Sequence, residues 1–329
     1  MKKIVRVLSI DGGGVRGILP AMILASLERQ SGQPINRLFD MIAGTSTGAI
    51  LACGLTKPNP LPAEHIANAY IAKGNRIFSG SPWRNIGSLI YEGKYDHRSL
   101  EEILDEYMGD AYLSACHPYV LIPTYDLVNR EAKFLKSWRA NGILSPDDET
   151  PADADFRIRD VVRAATAAPT YFEPALIYNR AGTSFTCIDG AVFANNPSMC
   201  ALASVRKLWP DATAVVLVSV GTGEFRHPVT YEEARSWGTL SWARPVIDCM
   251  MDGTSDTVDY QLREIFGGDL RYYRFQTRLG GAEDPQSPSD TIDDASARNI
   301  RKLILSGQAF VSQSAADISE LASLLTPPH

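Results

Sequence analysis

The sequence contains few cysteines and no long apolar run. Its five cysteines are scattered and odd in number, and no two form a Cys-x-x-Cys pair, so neither a disulfide framework nor a zinc site is expected. No stretch approaches the roughly 18 apolar residues of a membrane-spanning helix. The apolar run at the N-terminus is interrupted by Arg6 and ends at Asp11 without a signal-peptide cleavage site. These features predict a cytoplasmic protein.

The sequence also lacks an excess of positive charge. It has 32 Lys and Arg against 38 Asp and Glu, a formal net charge of −6. Such a chain is poorly suited to the phosphate backbone of nucleic acid, so we expect no nucleic-acid partner. The same balance argues against attachment to anionic lipid by charge alone. None of the five histidines lies in an obvious catalytic loop, and no metal-ligand spacing is present, so we expect no metal site.

The sequence does contain an alternation of apolar runs and amphipathic stretches. Runs rich in Val and Ile at 4–10, 119–127 and 214–223 predict buried strands, and helical spacing follows the first run at 17–31. Strands that alternate with helices predict an α/β fold with a mostly parallel sheet covered by helices on both faces. No linker divides the chain, so we expect a single domain of 329 residues whose last part, 226–329, is mainly helical.

The stretch SIDGGGVRG, residues 9–17, follows the first predicted strand and precedes a helix. Gly12, Gly14 and Gly17 have the spacing of a dinucleotide-binding loop, so a nucleotide-binding module is one interpretation. It lacks the acidic residue that ends the second strand of such folds, because Asp40 precedes its strand. A P-loop is excluded, since no Gly-Lys-Ser/Thr follows. In the other interpretation, the backbone N–H groups of consecutive glycines receive an oxyanion.

A second motif, GTSTG at residues 44–48, lies between a predicted strand and a predicted helix. This context is typical of a nucleophile elbow, in which Ser46 sits on a strained turn with its hydroxyl exposed above the sheet. Gly44 and Gly48 are needed because a side chain at either position would collide with neighbouring backbone. The helix N-terminus behind Ser46 favours developing negative charge. A turn of small residues that only lets a helix pack closely is the alternative.

A nucleophilic serine needs a base, and the sequence offers two candidates. His227 follows the motifs in the order of a hydrolase triad, but a solvated loop histidine is the simpler interpretation. Asp189 ends an apolar strand, and Gly190 follows it in a tight turn. Partial burial would raise the pKa of that carboxyl and make it a better base for Ser46. An ordinary Asp-Gly turn is the alternative.

Taken together, these motifs resemble the patatin-like phospholipase family. The matching stretches, which cover about the first 225 residues in the order of the family, are DGGGVRG (11–17), GTSTG (44–48), AAPTYFEP (167–174), DGA (189–191) and NNP (195–197). The resemblance implies a three-layer α/β/α fold, with Ser46 as nucleophile and Asp189 as base. It also implies that the backbone of Gly12, Gly13 and Gly14 forms the oxyanion hole.

The resemblance further implies that the chemistry needs no histidine, metal or other cofactor. Arg16 matches the basic position that follows the glycines in the family. At that position the arginine would steady the loop or meet a lipid phosphate. A surface arginine without a function is the alternative.

The activity implied by the resemblance is hydrolysis of fatty-acyl esters of membrane phospholipids, by a cytoplasmic protein in peripheral contact with the membrane. A carboxylesterase acting on small soluble esters is the alternative within the same chemistry. Bacterial relatives include membrane-degrading effectors switched on by cyclic nucleotides, which extends the expectation to a nucleotide second-messenger activator, although no residues identify its pocket. The aromatic stretch 76–95 predicts either a mobile, membrane-binding cover over Ser46 or ordinary core packing.

Overall fold

The computed structural model describes residues 4–78, 94–146, 148–224, 229–265, 267–280 and 284–326. The strands are β1 (Ile4–Ile10), β2 (Met41–Gly44), β3 (Tyr119–Asp126), β4 (Glu131–Lys136), β5 (Ala175–Tyr178), β6 (Ser184–Asp189), β7 (Ala214–Val220) and β8 (Leu270–Phe275). The helices are α1 (Ile18–Ser31), α2 (Ile35–Leu38), α3 (Thr47–Thr56), α4 (Ala63–Ile77), α5 (His97–Met108), α6 (Ser137–Ala140), α7 (Pro151–Ala154), α8 (Ile158–Ala165), α9 (Ala191–Ala194), α10 (Ser198–Leu208), α11 (Tyr231–Arg235), α12 (Thr239–Glu264), α13 (Ala297–Gln313) and α14 (Ala315–Leu325).

The described strands form one mixed sheet in the order β5-β6-β3-β2-β1-β7-β8, with β4 also pairing with β3. Strands β3, β2, β1, β7 and β8 are parallel to their neighbours in this part of the sheet. Strands β4 and β6 run antiparallel to β3, and β5 runs antiparallel to β6. The prediction of a mostly parallel sheet is therefore confirmed, and antiparallel pairing is confined to the end that begins at β3.

Both faces of the central strands β1, β2, β3 and β7 are largely buried, as near-continuous apolar strands predict. Along β1, Leu8 and Ile10 join the core that contains α1 and α3, whereas Val5 and Val7 join a second core on the opposite face. The second core includes Val205 of α10 together with residues of β7. Alternate side chains of one strand thus point to opposite helical layers, which gives the predicted three-layer α/β/α arrangement.

Strand β3 brings the ends of two other strands together. Its first residues, Tyr119 to Leu121, pair with β2, and its last residues, Thr124 to Asp126, pair with β6. Because β4 pairs with Leu121 through Asp126 on the other edge, β2 and β6 share one edge of β3. The carboxyl end of the antiparallel β6 therefore meets the carboxyl end of β2, and both face the start of α3.

The C-terminal part supplies one strand and several helices. Strand β8 pairs with β7 at the edge of the sheet, α12 packs on α9, and α13 and α14 pack on α1. The mainly helical character expected of 226–329 thus includes a strand that completes the parallel sheet. Within the described ranges, no helix combines the length and the apolar character needed to cross a membrane.

Candidate active site

Ser46 occupies a strained turn between β2 and α3. Its backbone has φ 54° and ψ −121°, in a region that residues with a side chain rarely adopt. The turn brings the side chain to the N-terminus of α3, where backbone N–H groups and the helix dipole favour negative charge. Ser46 itself is nearly buried, at 8% exposure. This is the geometry that a nucleophile elbow requires.

Gly44 and Gly48 let the turn close this tightly. A Cβ atom on Gly44 would lie 2.1 Å from the carbonyl oxygen of Gly48, and one on Gly48 would lie 2.2 Å from that of Ile10. The Thr45 N–H also donates to the Ile10 carbonyl at 3.1 Å, which ties the elbow to the end of β1. The two glycines are therefore required by close approach of backbone to backbone.

Asp189 lies at the end of β6, opposite Thr124 of β3, and is buried. Its Oδ1 accepts a hydrogen bond of 2.8 Å from the Ala191 N–H. Its Oδ2 has no partner of regular geometry among the described residues, although the Ser46 hydroxyl is close enough to lower the pKa of the carboxyl. A Cβ on Gly190 would lie 2.5 Å from the Pro123 carbonyl oxygen, so only glycine fits the turn after Asp189.

The electrostatics of Asp189 suit a general base. Burial raises the pKa of Asp189 from its ordinary value of 3.8 to about 7, while the nearby Ser46 hydroxyl and the hydrogen bond from the Ala191 N–H oppose this rise. A carboxylate with this pKa is ionised above neutral pH and holds a proton more strongly than an exposed aspartate does. The structure thus brings together the serine and the aspartate that the sequence singled out.

Of the three backbone N–H groups predicted as oxyanion donors in the glycine loop, one is already hydrogen-bonded within the protein. The Gly12 N–H donates to the Asn195 carbonyl at 3.1 Å, which removes it from the predicted oxyanion hole. Among the described residues, the N–H groups of Gly13 and Gly14 donate to no acceptor. Gly14 adopts φ +58°, and a Cβ there would meet the Ile292 carbonyl oxygen at 2.1 Å. The oxyanion prediction therefore narrows to Gly13 and Gly14.

Arg16 is buried beneath the glycine loop, so the alternative of a surface arginine is wrong. Its Nε donates to the Gly13 carbonyl at 3.4 Å and its Nη1 to the Gly223 carbonyl at 3.3 Å. Burial lowers the pKa of Arg16, and the nearby charges of Asp252 and Asp248 oppose this effect. These contacts agree with the interpretation that Arg16 steadies the loop.

A buried ion pair that the sequence does not reveal supports the start of the same loop. Asp11 Oδ2 accepts a hydrogen bond of 2.6 Å from Arg274 Nη2, and both side chains are less than a tenth exposed. Arg274 lies on β8 and also donates to the Ser219 hydroxyl at 2.7 Å. No local signal could identify this pair, because its members lie 263 positions apart in the sequence.

An apolar cavity lies beside Ser46. Its lining includes Ile50, Ile77, Phe78, Leu100, Phe172 and Ile292. A second apolar cavity between α4 and α5 shares Ile50, Tyr70, Ile77 and Leu100 with the first one. Two adjacent apolar cavities thus lie at the serine and between the two helices, and an apolar group of the substrate would be bound in such surroundings.

Two sequence-based predictions fall outside the described residues. His227 belongs to 225–228, and most of the aromatic stretch 76–95, including Trp83, belongs to 79–93. Of the aromatic residues in that stretch, Phe78 and Tyr95 are described, and both rings pack against Phe172. No cluster of three or more His, Cys, Asp or Glu side chains suited to a metal ion occurs in the described part of the chain.

The strain at Ser46 predicts an unusual effect on stability. Ser46→Gly should be more stable than Ser46→Ala by about 1–2 kcal/mol, because only glycine relieves the unfavourable φ. Urea unfolding of the two variants measures the difference. Ser26, in the middle of α1, is the matched control, since there glycine should be less stable than alanine by about 1 kcal/mol. Equal effects at both positions would show that Ser46 carries no strain.

Comparison with known proteins identifies the family. The model of the patatin-like phospholipase family matches residues 8–202. Patatin-like protein 2 of Oryza sativa is 32% identical over 369 residues, which cover 96% of this chain and 86% of that protein. The probable inactive patatin-3-Kuras 1 of Solanum tuberosum is 31% identical, with 96% and 88% covered. Human GIVD cytosolic phospholipase A2 is similar in structure with a TM-score of 0.48 and 12% identity, covering 98% of this chain and 60% of that one.

The region matched by the family model spans more than half of the chain. It contains the glycine loop, the elbow at Ser46 and the turn at Asp189. The chain therefore belongs to the patatin-like phospholipase family.

Proposed function

We propose that the protein is a lipid acyl hydrolase that uses Ser46 and Asp189 as a catalytic dyad. The observation that carries the proposal is the elbow serine beside a buried carboxyl whose pKa is about 7, at the mouth of an apolar cavity. The family of the chain supports the same class of activity. A relative named as inactive shows that membership alone does not guarantee turnover, so the dyad must be tested directly.

The reaction follows from the positions of these groups. Ser46 Oγ forms a bond to the ester carbonyl carbon as its proton moves to Asp189, and the N–H groups of Gly13 and Gly14 stabilise the oxyanion. When the carbon–oxygen bond of the ester breaks, the leaving alkoxide takes the proton from Asp189. Water then attacks the acyl-enzyme, Asp189 accepts a proton from the water, and that proton returns to Ser46 as the fatty acid leaves.

The apolar cavities favour a fatty-acyl ester over a small soluble ester. Their shared wall is apolar except for the Tyr70 hydroxyl; one cavity is lined by Ser46, and the adjacent one lies between α4 and α5. An acyl chain placed there would lose its contact with water at roughly 25 cal/mol for each Å² buried. A carboxylesterase for small esters would have no use for this space.

The glycine loop is not suited to a nucleotide. The Gly12 N–H already has an acceptor, and a Cβ on Gly17 would lie 2.2 Å from the Thr47 hydroxyl oxygen. The third glycine of the motif thus packs against α3 instead of facing an open phosphate site. These contacts favour hydrolysis over the nucleotide-binding module.

We assign contact with the membrane to one face of α12, next to the site. Trp242, Val246 and Met250 recur every four residues and are each at least 40% exposed. Ile247 and Met251 on the same helix pack on Ala191, two residues after Asp189. An exposed stripe of Trp and aliphatic side chains is suited to the membrane interface, and needs no basic patch.

Removal of either member of the dyad should abolish hydrolysis. We expect Ser46→Ala and Asp189→Asn each to lower kcat/KM by at least about a thousandfold, because members of one catalytic unit fail together. Mass spectrometry of fatty acid and lysophospholipid released from phosphatidylcholine vesicles measures this. Ser26→Ala and Asp40→Asn are the matched controls and should stay active. Near-normal turnover by Asp189→Asn would refute the dyad, and wild-type activity on short soluble esters alone would favour a carboxylesterase.

The pH dependence should report the pKa of Asp189. Only the ionised carboxylate can accept the proton of Ser46, so kcat/KM should rise with pH and level off above a midpoint of about 7. Phosphatidylcholine is the suitable substrate because its head group does not titrate in this range. A midpoint near pH 4, the value of an exposed aspartate, would contradict the assignment of Asp189 as the base.

The exposed face of α12 should affect the hydrolysis of vesicle phospholipid but not the hydrolysis of a dissolved ester. Trp242→Ser combined with Met250→Ser should lower hydrolysis of vesicle phospholipid at least about tenfold and leave a short soluble ester within about twofold. Salt should change vesicle binding little, because apolar burial is not screened. Leu176→Ser is the matched control at another exposed apolar residue. A parallel loss on both substrates would remove α12 as the membrane-binding face.

A further inference from the structure

Behind the glycine loop, the buried Thr222 contacts the peptide group that carries a predicted oxyanion donor. Thr222 lies just after β7 and is 4% exposed. Its hydroxyl donates a hydrogen bond of 2.7 Å to the carbonyl oxygen of Gly12. That oxygen belongs to the same peptide group as the Gly13 N–H. Whatever fixes the Gly12 carbonyl therefore also fixes the direction of the Gly13 N–H.

The geometry of the peptide group explains how this contact acts on the other side of the loop. In a planar trans peptide, the C=O and the N–H point in opposite directions. With its oxygen held by the Thr222 hydroxyl, the peptide aims the Gly13 N–H away from Thr222. A hydrogen bond to the carbonyl also polarises the peptide, so that its N–H becomes a stronger donor.

The next peptide group in the loop is held in the same way. The Gly13 carbonyl, which shares a peptide with the Gly14 N–H, accepts hydrogen bonds from the Arg16 N–H at 3.2 Å and from Arg16 Nε at 3.4 Å. The carbonyl oxygens of Gly12 and Gly13 thus both accept hydrogen bonds from behind the loop. The N–H groups of the same two peptides, those of Gly13 and Gly14, donate to no described acceptor. Because both carbonyls are held in the same way, we attribute these hydrogen bonds to the orientation of the Gly13 and Gly14 N–H groups.

The segment that carries Thr222 is hydrogen-bonded on both sides and fits closely behind the loop. The Gly221 N–H donates to the Phe275 carbonyl at 2.9 Å and the Gly223 N–H to Gln276 Oε1 at 3.0 Å, which ties both sides of Thr222 to the end of β8. A Cβ on Gly13 would lie 2.1 Å from Thr222 Oγ1. Residue 13 must therefore be glycine because Thr222 packs directly on it.

We propose that Thr222 is a positioning residue of the oxyanion site, whose hydroxyl holds the Gly12 carbonyl and thereby aims and polarises the Gly13 N–H. The inference rests on the proposed function for its catalytic consequence. The loop geometry does not depend on the proposed function, because it can be measured in the protein without a ligand.

The kinetic test compares Thr222→Ala with Thr222→Ser, which both lose the methyl group and differ only in the hydroxyl. We expect Thr222→Ala to lower kcat by about 10- to 100-fold with KM within about threefold, because the lost interaction acts in the transition state. Thr222→Ser should stay within about threefold of wild type. The midpoint of the pH profile should stay the same in both variants, since neither touches Asp189. Thermal unfolding checks that both are folded under assay conditions.

A second readout needs no substrate. Labelling with glycine that carries ¹³C at the carbonyl and ¹⁵N at the amide selects Gly-Gly peptides by NMR, and the chain has only four, those preceding residues 13, 14, 268 and 281. The Gly13 amide signal should shift in Thr222→Ala and stay near its wild-type position in Thr222→Ser, while the signal of residue 268 stays unchanged in both.

Each outcome decides one point. Equal kcat values for folded Thr222→Ala and Thr222→Ser, or a loss confined to KM, would overturn the positioning role, as would an unmoved Gly13 signal in Thr222→Ala. If the wild-type protein hydrolyses no ester, the proposed function fails, whereas the Gly13 signal still tests the geometry. A shifted Gly13 signal together with the selective loss of kcat would support the inference.

Discussion

The strained backbone at Ser46 is the constraint on which the rest of the site depends. A positive φ at a serine persists only where surrounding contacts hold it, and here the contacts are between backbones: Gly44 against Gly48, and Gly48 against the Ile10 carbonyl. The elbow therefore needs the ends of β1 and β2 side by side, as the parallel sheet provides. The glycine loop leaves β1 at the same place, which brings the predicted oxyanion donors next to the serine.

The proposed chemistry depends on the burial of a carboxyl group and assigns no role to a histidine. In a Ser-His-Asp triad the imidazole supplies a pKa near neutrality. Here burial supplies it to Asp189, because an apolar surrounding disfavours the charged form. Such burial is costly, and the neighbouring Asp11–Arg274 pair shows another buried charge kept in place by a partner. In the proposed site, one carboxylate is paired with an arginine and supports the glycine loop, and the other, Asp189, exchanges a proton with Ser46.

The parts of the site that could be predicted from the sequence are those encoded locally. The elbow around Ser46 and the Asp-Gly turn appear in the sequence as short glycine motifs, and the apolar strands predicted the buried sheet. The contacts that require Gly48 and Gly190, with the Ile10 and Pro123 carbonyls, are long-range. Long-range pairing was not predictable: β6 runs antiparallel beside the end of β2, which is what carries Asp189 to Ser46. The resemblance places the Gly12 N–H in the oxyanion hole, and no sequence signal shows that the Asn195 carbonyl accepts a hydrogen bond from it.

The most direct test of a serine activated by aspartate alone is mapping of a fluorophosphonate adduct. Ser46 Oγ would form a bond to phosphorus as fluoride leaves, and peptide mass spectrometry locates the modified residue. The dyad predicts one adduct, on Ser46, with a labelling rate that falls at least about a hundredfold in Asp189→Asn and stays unchanged in His227→Ala. Labelling of another serine, or an unchanged rate in Asp189→Asn, would contradict it.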